Sequence, residues 1–247
     1  MLHCIAIIYL LIISMFRIQL KRLMAERDIL PDQIYNADET GLYYKCLPTK
    51  TLAAGNEANA SGFKQSKERV TLLVCSNATG SHKLPLLVIG KSANPRAFSK
   101  INRARLPAFY TNSTKEWMTS YLFEKWVREN FEPDVKKYLS SKGLPLQAVL
   151  LVDNASSHVL KSLTIGIVTI QFLPPNVTSV IQPMDQGAIA LLKRRFRKDL
   201  LERLILKDDL VTALKGIDVL VALKMAASAW CTIRPTTLAK CWKPIGK

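Results

Sequence analysis

The run Ala148-Val-Leu-Leu-Val152, closed by Asp153, constrains this chain most. Five consecutive apolar residues without alternation read as a strand buried on both faces, so layers must cover it on each side. Strands of that kind belong to α/β sheets, where ligands and chemistry collect beyond the carboxyl ends of the strands. The acid that follows the run has two readings. It is a site carboxylate at the sheet edge, or it starts an Asx turn with Asn154 and the small residues after it.

The rest of the pattern agrees with an α/β fold. Residues 34–38 (IYNAD) predict a short strand, and 69–75 and 84–89 predict a hairpin around the turn Asn77-Ala-Thr-Gly80. A loop over 91–106 carries Lys91, Arg96, Lys100, Arg103 and Arg105 with no acid among them. Leu122, Phe123, Trp126, Val127, Phe131, Val135 and Leu139 recur at helical spacing within 114–139, with Pro133 expected to kink or divide the helix. Residues 168–173 (VTIQFL) predict another strand, stopped by Pro174-Pro175. Pro183 is expected to open a long helix reaching about Leu206. The last forty residues read as helical, with Trp230 and Trp242 as core anchors.

At 247 residues the chain can bury a core without disulfides. Its five cysteines form no C-x-x-C pair and have no His at ligand spacing, which argues against a zinc site and for a reducing compartment. Lys plus Arg is 35 against 19 Asp plus Glu, a net charge of +16. Such a surface attracts polyanions, nucleic acid foremost, with an anionic membrane as the alternative.

Residues 1–16 are nearly all apolar and are followed by Arg17, Lys21 and Arg22. They lack the basic leader and the cleavage site of a signal peptide. They also fall short of the roughly 20 residues that span a bilayer. A short membrane anchor is one reading. The other, favoured here, is that residues 1–15 lie outside the domain, which then begins with the helical spacing from Phe16 to Ile29.

Two further acids stand out. If the helix starts at Pro183, Ile189, Leu192 and Phe196 fall within about 40° of Asp185, so this acid sits inside an apolar stripe. A buried carboxylate needs a cation or a donor. The readings are a metal ligand or a partner for the helix dipole. Asp38 shares a strand face with Ile34 and Asn36, while Glu39 points the other way; a strand-end turn explains it equally.

Three segments together, NADETGLYYKCLP at 36–48, LLVDNASSH at 150–158 and FLPPNVTSVIQPMDQG at 172–187, resemble the DDE-type transposase domain of the pogo group. More narrowly they resemble the Tigger and Jerky proteins derived from such transposases. The likeness extends through 69–84 and 229–242. It implies a ribonuclease-H-like α/β fold, a mixed sheet flanked by helices with a helical C-terminal extension. The expected division is an apolar segment at 1–15, a catalytic domain at 16–206 and the extension at 207–247. The catalytic, metal-binding acids would be Asp38, Asp153 and Asp185, with 31 residues between the second and third. Two Mg²⁺ or Mn²⁺ ions are the implied cofactors, since hard cations prefer carboxylate oxygen and a metal pair can serve both the attacking and the leaving oxygen of a phosphodiester. Asn154, His158, Gln182 and Gln186 would support the acids, though turn geometry and surface hydrogen bonds explain them as well.

Lys193, Arg194, Arg195, Arg197 and Lys198 follow within an acid-free stretch and suit a DNA-strand channel, or else a solvated helix face. The function expected is a DNA-cleaving and DNA-joining domain in the nucleus. The alternative is a domesticated, non-catalytic DNA-binding or scaffold protein that keeps the fold. The family's helix-turn-helix modules are not read here, so DNA binding should be mainly electrostatic. A homodimer is left open, and a membrane partner is not expected.

Overall fold

The computed structural model describes residues 2–46, 66–205 and 210–246. Helix α1 (Leu2–Glu26) leads into the strands β1 (Ile34–Leu42), β2 (Val70–Asn77), β3 (Leu87–Gly90) and β4 (Phe109–Asn112). Helices α2 (Ser120–Trp126) and α3 (Glu132–Ser141) follow, then β5 (Ala148–Val152), β6 (Thr164–Ile165) and β7 (Val168–Phe172). The chain ends in helices α4 (Thr178–Ile181), α5 (Ala188–Ile205), α6 (Leu210–Lys215), α7 (Val219–Cys231), α8 (Pro235–Cys241) and α9 (Lys243–Gly246).

Among the described residues the strands form one sheet in the order β4-β3-β2-β1-β5-β7-β6. β1, β2 and β3 are consecutive antiparallel neighbours, whereas β5 runs parallel to β1 and β7 parallel to β5. The sheet is mixed and flanked by helices, as the resemblance implies.

Strand alternation sorts the side chains between layers. Leu73 and Cys75 of β2, with Leu150 and Val152 of β5, pack against Phe123, Trp126, Phe131 and Leu139 of the α2–α3 region. On the other face, Leu72 and Val74 meet Leu192 and Phe196 of α5 and Trp230 of α7. Val149 and Leu151 meet Phe16 and Leu20 of α1 and Trp242. Covering layers on both faces are why AVLLV is uniformly apolar. The C-terminal helices thus complete the core on one face. Trp230 Nε1 donates to the Leu84 carbonyl at 2.9 Å, and Lys83 Nζ donates to the carbonyls of Trp230, Cys231 and Ile233 at 3.0, 2.8 and 2.7 Å, closing the end of α7. Gly80, at φ +69°, lies so close to this region that an added Cβ would stand 2.2 Å from the Pro235 carbonyl oxygen.

Several expectations are corrected. The helical region is divided near Pro133, but the break lies in the turn before it and not at the proline itself. The chain passes from α2 to α3 through one wide π-type turn, Val127–Phe131, and Pro133 sits in the first turn of α3 where its missing N–H costs no bond. Pro183 does not open the long helix. It opens a single 3₁₀ turn, Pro183–Asp185, and Gly187 at φ +111° separates that turn from α5. Asp185 therefore lies before the helix, not within its apolar stripe, and the residue is exposed. Residue 206, the expected helix end, and the expected boundary at 206/207 lie outside the described residues.

The expected boundary at 15/16 falls inside α1. Ile13 is buried beside Phe16 and Leu20, and Arg17 donates to the Pro244 carbonyl at 2.9 and 2.6 Å, so the packed face begins before Phe16. Ile7 through Leu11 are exposed. The helix stops at Glu26, short of Ile29, where Asp28 turns to φ +49°. Among the described residues no helix is long and apolar enough to cross a membrane.

Candidate active site

Parallel pairing joins the first three residues of β1 to β5, ending in the register Asn36 with Leu151, so the middle of β1 runs on past the carboxyl end of β5. Asp38 lies on β1 just past the last paired residue, and Asp153 follows β5 directly. Buried Asn36 brings in the third acid. Its amide donates to the Leu151 carbonyl at 2.9 Å, and its Oδ1 accepts from the Met184 backbone N–H at 2.9 Å. One side chain thus joins β1, β5 and the turn that carries Asp185. Its place on the Asp38 face was visible in the sequence; its bridging role was not.

Asp38 is 7% exposed. Burial, then the charge of Asp185, pushes its carboxyl up to about 8; a hydrogen bond from Gln182 opposes this, while Glu39 and Asp153 add repulsion. The Asp185 carboxyl lies within hydrogen-bonding reach of Asp38. Although the residue as a whole is exposed, its carboxyl is raised, by partial desolvation first and by the charge of Asp153, against the Asp38 hydrogen bond and the pull of Lys193. Each carboxyl is thus driven toward its neutral form, because ionising one beside the other costs energy unless a cation balances the charge.

Asp153 behaves oppositely. Its Oδ1 lies 2.6 Å from His158 Nδ1 and accepts from the Ala155 backbone N–H at 3.1 Å. The His158 hydrogen bond, outweighing burial, holds its carboxyl below the ordinary range. The Asx turn and the sheet-edge carboxylate are therefore the same residue. His158 is not a surface group. It is 1% exposed, and its Nε2 stands 2.9 Å from Glu39 Oε1. Burial works against its charge, yet the bonds to Asp153 and Glu39 prevail and lift it to about 10. Glu39 does face away from Asp38 along β1, but His158 arrives there from another segment, and no local signal shows this.

The remaining expected supports divide. Buried Gln182 reaches Asp38, and its Oε1 has no partner among the described residues. Gln186 does not reach the acids; its amide donates to the Ser179 carbonyl at 3.1 Å. Asn154 is exposed and hydrogen-bonds none of the described residues.

The five basic residues of α5 do not share a face either. Lys193 is half-buried, with its charge disfavoured by burial and by Arg197 and favoured by Asp185 and Asp38. Arg194, Arg197 and Lys198 line a groove of about 780 Å³ that starts at Gly187 and has Leu191 and Leu201 in its wall. Arg195 points elsewhere and donates to Thr232 Oγ1 at 2.7 Å.

Among the described residues, no three His, Cys, Asp or Glu side chains already stand as a metal-ligating group. The donor chemistry nonetheless fits a hard cation. Two neighbouring carboxyls are pushed toward the neutral form by burial and mutual charge, a third lies within electrostatic reach, and the buried Gln182 Oε1 beside them is unsatisfied.

Known proteins match this chain over most of its length. Human "Jerky protein homolog" is 41% identical over 180 residues, covering 71% of this chain and 31% of that protein. Human "Tigger transposable element-derived protein 7" is 32% identical over 246 residues, covering 92% of this chain and 45% of that protein. The chain therefore spans less than half the length of these relatives. A solved Mos1 mariner paired-end complex with Mn superposes with a TM-score of 0.49 at 14% identity, over 96% of this chain and 62% of that one. The profile of the DDE superfamily endonuclease family matches residues 67–242. Through the match over residues 67–242, then, the chain belongs to the DDE superfamily endonucleases.

Proposed function

We propose that this domain cleaves and joins DNA phosphodiesters with Mg²⁺ or Mn²⁺ held by Asp38, Asp153 and Asp185. The observation that carries the reading is the convergence that Asn36 builds between β1, β5 and the Asp185 turn, which sets two carboxyls pushed toward the neutral form beside an Asp153 held in the charged one. Two divalent ions bound there would activate the attacking oxygen and stabilise the leaving one. The chain's own groups do the rest. Asp38 releases its proton to become a full anion, Gln182 orients it, and His158 keeps Asp153 ionised. Arg194, Arg197 and Lys198 bind the phosphate backbone, which positions a strand without reading its sequence. A nuclear location follows from such a substrate.

The test is thermal. A ligand bound by the native state alone raises the melting temperature. Mn²⁺ should raise it in the parent, and Asp153→Asn should remove most of the rise along with metal-dependent nicking of supercoiled DNA. A parent whose melting temperature ignores Mn²⁺ refutes the reading. It would favour the second one, a non-catalytic nuclear DNA-binding or scaffold protein, which draws support from Asp153 being already engaged by His158 and from the lack of a ready ligand group among the described residues. That protein would bind DNA equally well with and without metal.

A further inference from the structure

A buried bridge stands behind the three acids and has no part in the reading above beyond keeping Asp153 charged. His158 lies in the turn Ser156–His158, against the Phe123 ring at a centroid distance of 4.6 Å. Each of its nitrogens meets a carboxylate from a different segment: Nδ1 meets Asp153 Oδ1 at 2.6 Å, with the Asp153 carbonyl oxygen at 3.2 Å, and Nε2 meets Oε1 of Glu39, in the middle of β1, at 2.9 Å. Carboxylates only accept, so both ring nitrogens must donate. Rotating the ring about its bond to the chain would break both contacts at once, and Phe123 blocks one side. The orientation of the ring is therefore set by Glu39 as much as by Asp153.

The consequence falls on Asp153. Both donors that reach it, His158 Nδ1 and the Ala155 N–H, take Oδ1. Among the described residues no donor reaches Oδ2. A carboxylate clamped through one oxygen leaves the other in a fixed place for a ligand. Groups that fix a ligating side chain in this way typically change metal affinity by ~10–100-fold when removed.

We infer that Glu39 is a positioning residue. It holds His158 in the ring orientation that clamps Asp153 Oδ1 and thereby reserves Oδ2 for a divalent ion. The inference rests on the proposed metal site. The competing account is that Glu39–His158 is a buried ion pair that serves stability alone.

Mn²⁺ titration of the full chain, followed by the loss of free-ion electron paramagnetic resonance signal, separates the two when paired with melting temperatures in chelator. Glu39→Ala removes the acceptor and should weaken Mn²⁺ binding ~10–100-fold. Glu39→Gln keeps a carbonyl oxygen at the same place and should hold affinity within about threefold. A merely structural Glu39 predicts something else: a lower melting temperature in chelator for Glu39→Ala with unchanged Mn²⁺ affinity. That result overturns the inference. If Glu39→Ala does not fold, Glu39→Asp places the acceptor one methylene short of Nε2. It should weaken Mn²⁺ binding, and parental affinity in Glu39→Asp overturns the inference equally. A parent that binds no Mn²⁺ is a distinct outcome, because it defeats the metal site itself and Glu39's role with it.

Discussion

The Asp38–Asp185 contact makes the stability of the metal-free protein depend on pH in an unusual direction. Asp38 titrates near 8 in the folded state, against ~3.9 in an unfolded chain. Between those values the unfolded chain has lost a proton that the folded protein keeps. Stability then falls as pH rises, at ~1.36 kcal/mol per pH unit, and the whole interval amounts to ~5–6 kcal/mol as a ceiling. Titration linked to that of Asp185 lowers the realised figure, and about half the ceiling is a reasonable expectation for the pair. Asparagine mimics the protonated acid without its pH cost and can still donate to Asp185. Asp38→Asn should therefore match the parent near pH 4 and become increasingly more stable up to pH 8, by ~2–3 kcal/mol. Other groups at the site have slopes of their own. His158, raised to about 10, contributes stability below ~6.5 that is lost as pH climbs toward 10. Asp153, whose carboxyl is lowered, contributes stability that is lost on acidification. Lys193, whose charge Asp185 and Asp38 favour, loses part of that support in the variant, and Glu39 faces the same cluster. The assay is urea unfolding in chelator at intervals from pH 4 to 9, reading the difference between variant and parent. A difference that stays flat, or a variant less stable than the parent at pH 8, refutes the argument that Asp38 is held toward its neutral form.

Other expectations follow from packing and charge. Gly80→Ala forces a Cβ against the Pro235 carbonyl at a left-handed backbone position, and should cost ~2–4 kcal/mol in urea unfolding. Lys83→Ala leaves the Cys231 and Ile233 carbonyls without their donor and the Trp230 carbonyl with backbone N–H donors only, and should lower stability by ~1–3 kcal/mol. The combined change of Arg194, Arg197 and Lys198 to Ala should weaken DNA binding on every sequence tried. It should also flatten the log–log salt dependence by ~2–3, one contact each. Arg195→Ala, whose side chain is tied to Thr232, should leave that slope within error of the parent.

What the sequence disclosed depended on how local each cause was. The two-sided burial of AVLLV and the acid after it are one local fact, so β5 and the position of Asp153 were readable. The stripe Ile189, Leu192, Phe196 was readable for the same reason, and all three residues are buried as α5 demands. Extending that stripe back to Pro183 failed because one residue, Gly187, changes hand and severs the turn from the helix. Asp185 still reaches Asp38, but through Asn36 and a 3₁₀ turn rather than through helical phase. Glu39 was passed over because its meaning lies in His158, which comes from 119 positions further along the chain. Alternation along β1 gave its direction correctly and could say nothing of what waits there.

The order of the strands also bears on how the chain is made. β1 finds β2 early, but its other side is Ala148–Val152, and the pairing runs from Ile34 with Val149 to Asn36 with Leu151. About 70 residues must be synthesised between Asn77, which completes β2, and Ala148, which takes ~4–14 s at ~5–20 residues per second. Throughout that time the early hairpin presents an unpaired backbone edge, with Tyr35, Leu72 and Val74 uncovered on its faces. Such an edge is a template for pairing with any neighbouring chain. Nascent chains of this protein should thus need shelter on the ribosome until β5 emerges, and fragments that end before Ala148 should collect in the insoluble fraction.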